Sequence, residues 1–278
     1  MSLRSLWNGF LVEPLRRIDR EQREFLARDE SHGPDWKVMA VMVAAALVLA
    51  LQHYFGGGGE VFSLPALLNN LGLEGLAQDL TEFLQDNAHR EIATGLYWSL
   101  FSFATYFFIP WFVIVVVFRR SLTEFGCKLR GAFSEWWVYI AFFAVMWPLL
   151  IWVSTHQHFK ATYPFYKLGK DEPLWPYFWL WEASYFLQFV GLEFFFRGFM
   201  VHGTKHRFGI YAVFVMAVPY SMIHFGKPFL ETCGALIAGV VLGFMSLKTR
   251  SIWLGAAIHM SVALSMDFLS LWRLGRFG

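Results

Sequence analysis

Three apolar stretches of this 278-residue sequence carry ionisable side chains. WLWEASYFLQFVGLEFFFRGFM holds Glu182, Glu193 and Arg197. AVPYSMIHFG holds His224, with Tyr220 four residues before it, and SIWLGAAIHMSVALSMD holds His259 and Asp267. A charged group in hydrocarbon is costly, so it is kept because a partner neutralises it or because it does chemistry. Carboxylate and imidazole together can take up and return a proton. Glu193 and Arg197 are four apart and share one face of a helix, as do Tyr220 and His224. Glu182 precedes Glu193 by eleven residues. At 100° per residue it lies about 20° past three full turns, on the same stripe and ~16 Å away.

Each residue also has a bland reading. Glu193 and Arg197 can be a self-neutralising pair that lets their helix insert. A single intramembrane histidine can be a hydrogen-bonded packing residue. Glu182 beside Trp181, and Asp267 near a helix end, read as interfacial. Convergence favours function: one Glu, one Arg and two His come from three separate apolar runs, each beside aromatic residues.

The elements that position these groups are membrane helices. Apolar residues make up 56% of the chain and charged ones 16%, against about 25% charged in soluble domains. With 31 Phe and 13 Trp, there is more aromatic surface than a soluble core of this size hides, and Trp suits both membrane interfaces. The net charge of +2 gives no reason to expect a nucleic-acid partner. Cys127 and Cys233 lack metal-type spacing and read as small apolar fillers without a disulfide. Arg4, Arg16, Arg17, Arg20, Arg23, Arg28 and Lys37 precede any long apolar run, which is not the pattern of a cleavable leader.

A spanning helix takes about 20 mostly apolar residues. Seven runs qualify or come close: Val38–Phe55, Gly95–Phe118, Trp136–Val153, Leu174–Met200, Ile210–Ile223, Thr232–Leu247 and Ile252–Leu271. The fifth and sixth are short and joined by HFGKPFLE, so they read as a hairpin. GGGGE at 56–60 ends the first run. Residues 1–37 form a segment on the cytoplasmic side or in the interface. Within it, Leu3, Leu6, Trp7 and Phe10 at helical spacing suit a helix in the headgroup layer as well as a solvated tail. Leu71, Leu73, Leu76, Leu80, Phe83 and Leu84 suggest further interfacial helices over 56–94. Residues 38–173 form an N-terminal set of membrane helices and loops, and 174–278 a core carrying the polar groups. The expected fold is all-α, a polytopic transmembrane bundle of about seven spans plus interfacial helices. With the N-terminus cytoplasmic, that side holds 15 Lys and Arg and the other 7, with Arg197 inside a span.

Three motifs in order then resemble a known family. LEFFFRGFM at 192–200, YSMIHFG at 220–226 and IHMSVA at 258–263 are similar to the Glu-Glu-x-x-x-Arg, Phe-x-x-x-His and His-x-x-x-Asn/Asp motifs of the CPBP family. That family comprises CAAX prenyl endopeptidases and bacteriocin-processing proteins. GVVLGFMSLKTRSIWLGAAIH resembles its linking text. The likeness covers about residues 174–270. Two departures from the motifs matter: the first Glu is Leu192, and the last Asn/Asp is Ala263, with Asp267 one turn on.

The resemblance implies an integral multi-pass membrane protein, in the plasma or inner membrane if the host is bacterial. It would cut hydrophobic or membrane-tethered peptides within the lipid. It implies that Glu193 and His224 bind and deprotonate a water, that His259 stabilises the oxyanion, and that Arg197 holds Glu193 in place. The family has long been described as metallopeptidases, and one Glu with two His is a feasible zinc set. Without H-E-x-x-H spacing, and with an Arg beside the Glu, a cofactor-free and metal-free glutamic mechanism is expected. Two other readings stay open: a catalytically inactive relative that holds peptides or partner helices, and a proton-coupled transporter, although no internal repeat relates the halves.

Overall fold

The computed structural model describes residues 7–29, 33–168, 172–227 and 229–276. Leu3, Arg4, Leu6, Lys170 and Pro228, which entered the reading above, lie outside the described residues. Within them, regular structure is helical apart from one isolated bridge between Cys127 and Ser251. In chain order the α-helices are α1 (Glu13–Arg28), α2 (Trp36–Phe55), α3 (Leu64–Asn70), α4 (Glu74–Phe83), α5 (Asn87–Phe112) and α6 (Trp136–Val153). There follow α7 (Gln157–Thr162), α8 (Tyr177–Glu193), α9 (Gly203–Phe208), α10 (Tyr211–Met222), α11 (Phe229–Thr249) and α12 (Trp253–Arg273).

Among the described residues, five helical stretches are long and apolar enough to cross a membrane: α2, α5 with its continuation to Val117, α6, α11 and α12. The fourth apolar run is helical from Tyr177 to Phe208, but it changes from α to π over Phe194–His202. The fifth, α10, has only 12 residues. The observed helices begin earlier than the apolar runs where a polar residue caps them. Asp35 Oδ1 accepts from the backbone N–H of Lys37 at 2.9 Å and of Val38 at 3.3 Å, which starts α2 at Trp36. Asp86 Oδ1 accepts from His89 N–H at 3.1 Å, which carries α5 back to Asn87. Both satisfy amides that a helix start leaves unpaired. Only 11% of the apolar window of α6 is buried, so nearly all of that helix is surface for lipid to cover. The corresponding window of α12 is 56% buried.

The chain forms two compact units. The first comprises Met1–Leu47, Tyr106–Trp136 and Leu192–Gly255. Its centre is the fully buried set Phe194, Phe195, Phe196 and Phe199, with the Tyr106 ring 5.2 Å from Phe195. The helices α10 and α11 make the expected hairpin. Small residues let them close up: a Cβ on Gly239 would lie 2.8 Å from the Tyr220 ring, and one on Gly243 2.8 Å from Val213. Gly209, at φ +53°, makes the turn into α10 in a conformation that favours glycine. The amphipathic N-terminal helix runs on to Arg28, beyond its expected reach. Arg17 Nη2 donates to the carbonyls of Leu247 and Lys248 at 3.0 and 3.1 Å, satisfying two of the acceptors orphaned at the end of α11. Cys127 and Cys233 are free thiols.

The second unit comprises Val48–Thr105, Trp137–Gly191 and Ala256–Gly278. Its core gathers Ile92, Phe178, Trp181, Tyr185, Ala263 and Leu271. Hydroxyl and amide groups link its helices: Ser99 Oγ donates to Ser184 Oγ at 2.9 Å, and Ser102 Oγ to Gln52 Oε1 at 3.1 Å. The helices α3 and α4 lie in the stretch expected at the membrane surface, and they leave Leu67, Leu71, Leu73 and Leu76 exposed.

Candidate functional site

Glu193 is the last residue of α8, and the chain passes there into the nine-residue π-helix Phe194–His202. π-Helical turns are rare and concentrate at functional sites. This one is buried at every position, and Gly198 lies where a Cβ would come within 2.7 Å of the Phe125 carbonyl oxygen. Arg197, one turn along, sets Nη1 2.9 Å from Glu193 Oε1, with side-chain exposures of 0% and 1%. Bulk solvent does little to screen a pair so buried, so each charge depends on the other.

The guanidinium has a second neighbour. Arg197 Cζ stands 4.0 Å from the centroid of the Tyr220 ring, a close cation–π contact in a desolvated place. Phe196 meets the same ring edge-on at 5.1 Å. The carboxylate's other oxygen points elsewhere: a Cβ on Gly255 would fall 2.4 Å from Glu193 Oε2. Gly255 is the third residue of α12, so the carboxylate abuts the first turn of that helix, where the unpaired amides and the macrodipole favour an anion.

His224 follows the end of α10, in the turn before Gly226. Its ring is 5.0 Å from that of Tyr220. His224 Nδ1 is 2.9 Å from the Tyr220 carbonyl oxygen. A carbonyl only accepts, so the proton is on Nδ1 and the neutral ring keeps its lone pair on Nε2. Thr232 Oγ1 donates to the His224 carbonyl at 3.0 Å, and Lys227 pairs with Glu231 at 2.8 Å. These contacts hold the turn. The first unit thus links three of the four expected site residues in a chain: Glu193, Arg197, the Tyr220 ring and His224.

The fourth, His259, belongs to the second unit, where its half-buried ring stacks on Phe189 at 5.5 Å and 9°. Glu182 and Asp267, read from sequence as interfacial, are both buried in the protein, at 3% and 0% exposure. Asp267 Oδ2 accepts from Trp181 Nε1 at 3.3 Å, and the Glu182 carboxyl adjoins Asp267. They are accommodated by each other and by the indole, within the core of the second unit. The sequence reading noted Tyr220 only as a neighbour of His224, and it missed Gly255. The four-residue spacing of Tyr220 and His224 was a signal for the first. Nothing in the spacing marked the second. Among the described residues, no three His, Cys, Asp or Glu side chains come together as a set that could hold a metal ion.

A multi-pass helical membrane protein with a buried carboxylate–guanidinium pair, packed against tyrosine and followed by an oriented histidine, is the class these observations define. Residues 173–265 match the family model described as Type II CAAX prenyl endopeptidase Rce1-like. The matched segment begins just before α8, ends within α12, and contains Glu193, Arg197, His224 and His259. No curated protein and no solved structure matches the chain.

Proposed function

We propose that the chain is an intramembrane endopeptidase that hydrolyses hydrophobic or membrane-tethered peptides with a water activated by Glu193 and His224. The observation that carries this reading is the division of the Glu193 carboxylate. Oε1 faces Arg197 at 2.9 Å, while Oε2 is turned toward Gly255. One oxygen is held by the guanidinium, and the other is the base.

In this mechanism Glu193 Oε2 and His224 Nε2 bind the water between them. Glu193 takes its proton as the hydroxide attacks the scissile carbonyl carbon. His259 carries the role that the motif resemblance gives it and stabilises the oxyanion. Collapse of the tetrahedral intermediate breaks the C–N bond, and the proton on Glu193 passes to the departing amine. Arg197 holds Glu193 Oε1 at 2.9 Å and places a fixed positive charge beside the carboxylate, which opposes a metal ion there, so the mechanism is metal-free.

Purified full-length protein in detergent, offered membrane-segment peptides and a prenylated CAAX peptide, tests this. Glu193→Gln and His224→Gln each lower cleavage by about 10²-fold or more, the usual worth of a positioned acid–base group. Cleavage by both variants at the parent's rate would sink the assignment. The second reading, a non-catalytic relative that holds peptides, rests on Leu192 and Ala263. Both are 5% exposed and stand where the family motif has polar groups. Binding of the same peptides without cleavage by the parent protein favours it.

A further inference from the structure

The first unit contains a cavity of about 1020 Å³, away from Glu193. Four sequence segments line it: the N-terminal segment up to Lys37, the 118–128 loop, the 202–207 turn and Arg250. These segments, read from sequence as lying on one side of the membrane, hold most of the chain's Lys and Arg. Trp36 and Lys37 open α2, and Phe118 directly follows the α5 span ending at Val117. The cavity therefore sits at the ends of two membrane helices, at the level of lipid headgroups. The amphipathic helix α1 contributes Glu21 and Phe25 to its wall.

The charges around it do not cancel. Six Lys and Arg line the cavity against four Asp and Glu. Each acid is already engaged. Asp29 and Asp35 pair with Arg207, Asp35 also meets His206 at 2.8 Å, Glu21 pairs with Arg250, and Glu124 lies 3.6 Å from Arg120. Lys37, Lys128 and Lys205 have no carboxylate within ion-pair distance among the described residues.

Lys205 is the most enclosed of the three. Its Nζ is 3.0 Å from His202 Nδ1, and His202 Nε2 is 3.0 Å from Ser246 Oγ. The ammonium donates to Nδ1, so the neutral histidine donates from Nε2 to the serine. That fixes the lysine in place and leaves two of its three N–H donors. Burial, with Arg250 and Arg17 nearby, holds the Lys205 pKa below the usual lysine value despite Glu21 and Glu124. An anion in the cavity would relieve that cost.

We infer that this cavity binds the phosphate headgroup of an anionic phospholipid, with Lys205, Lys128 and Lys37 as its cationic contacts. Basic pockets at the ends of membrane helices are suited to such headgroups. Here the surplus positive charge, the half-buried lysine without a counter-ion and the aromatic rim of Trp36, Phe25 and Phe118 occur in one cavity. A free phosphate shares the chemistry but has no use for that rim.

The test titrates the full-length protein in dodecyl maltoside with phosphatidylglycerol, phosphatidylcholine or inorganic phosphate at matched ionic strength. Tryptophan fluorescence on heating reads the stabilisation. Phosphatidylglycerol raises the melting temperature of the parent, and phosphatidylcholine does not. Lys128→Ala and Lys205→Gln each weaken the phosphatidylglycerol response by about fivefold, because a lysine at an anionic surface contributes ~1 kcal/mol. Lys128 is exposed, so its variant reports on binding even if Lys205→Gln folds poorly. Lys160→Ala, in the second unit, leaves the response unchanged. Equal stabilisation by both lipids, an undiminished response in the Lys128 variant, or an equal loss in the Lys160 variant overturns the inference. Inorganic phosphate acting at the same concentrations, with the same sensitivity to Lys128 and Lys205, overturns the lipid headgroup in favour of a soluble phosphate.

Discussion

The Glu193–Arg197 pair permits a quantitative test that does not depend on knowing a substrate. Both side chains are within 1% of complete burial, and their charges meet at 2.9 Å. Removing one member of such a pair strands the other charge in a dry interior and costs about 3–5 kcal/mol. Replacing both with uncharged residues of similar volume is close to neutral. Glu193→Gln and Arg197→Met should each destabilise by that amount. Arg197→Met should be the worse, because it also forfeits the contact with Tyr220 at 4.0 Å, about 2 kcal/mol for a desolvated cation–π pair. The double variant should recover all but that ~2 kcal/mol. The coupling, about 6 kcal/mol or more, far exceeds the ~0.5 kcal/mol by which independent sites depart from additivity. Reversible unfolding in mixed micelles, followed by tryptophan fluorescence, supplies the four stabilities. Single-variant costs below ~1 kcal/mol would match an exposed, hydrated pair and refute the argument that Arg197 fixes the carboxylate. Additive costs would refute it equally. The double variant should also be stable and inactive, separating the loss of chemistry from the loss of fold.

Other outcomes follow from the same geometry. Gly255→Ala puts a Cβ 2.4 Å from Glu193 Oε2 and should cost ~1–3 kcal/mol of stability and, by displacing the base about an ångström, ~10²-fold in turnover; parent-like turnover would show that Oε2 is not the base. Tyr220→Phe keeps the ring over Arg197 and loses only the hydroxyl's hydrogen bond with Arg197, about 1 kcal/mol, whereas Tyr220→Leu should lose up to ~2 kcal/mol more, which the same unfolding assay compares. At Asp35, burial raises the carboxyl pKa, but hydrogen bonds from His206, Arg207 and the Val38 amide outweigh it and hold the pKa below the ordinary value. The folded pKa is therefore below the unfolded one, so this contribution is complete above about pH 4 and fades as pH falls through the lowered value; Asp35→Asn should flatten that part of the acid stability curve. Leu192→Glu restores the first carboxylate of the motif; cleavage appearing only in that variant would mean that the parent binds peptides without cutting them.

Much of the fold was legible because hydrocarbon imposes a simple rule on composition. The apolar runs at 38–55 and 136–153 correspond to α2 and α6. The starts of α2 and α5 were less legible, because Asp35 and Asp86 extend them through polar capping that an apolar window does not count. The π-helix at 194–202 was not legible at all. Its local sequence, FFFRGFMVH, suits an α-helix equally well, and the widened turn depends on packing against neighbours such as Phe125. For the site, the four-residue spacings put Glu193 beside Arg197 and Tyr220 beside His224. The contact of Arg197 with Tyr220 joins residues 23 positions apart, and a tertiary contact has no periodicity to reveal it. The burial of Asp267 was not legible from its place near a helix end, because it depends on tertiary partners. Its partners, Trp181 and Glu182, come from a helix almost ninety residues earlier.

The two departures from the family motif make physical sense together. Leu192 is buried in the first unit, beside the wholly buried Phe194–Phe196 set. A second carboxylate there would need a second cation, and Arg197 already faces Glu193. Ala263 is part of the second unit's core with Phe178, Trp181 and Tyr185, where Asp267, one turn on, is already the buried polar group of that face. Both positions therefore serve packing, and the polar work falls to fewer groups. A carboxylate has two oxygens and can divide its duties only if they meet different surroundings. Glu193 meets that condition: Oε1 is set against a guanidinium that neutralises it, and Oε2 against a glycine at the positive end of α12. The absence of a side chain at Gly255 provides the space for the second oxygen, so the chemistry proposed for one glutamate depends on that glycine as much as on the arginine.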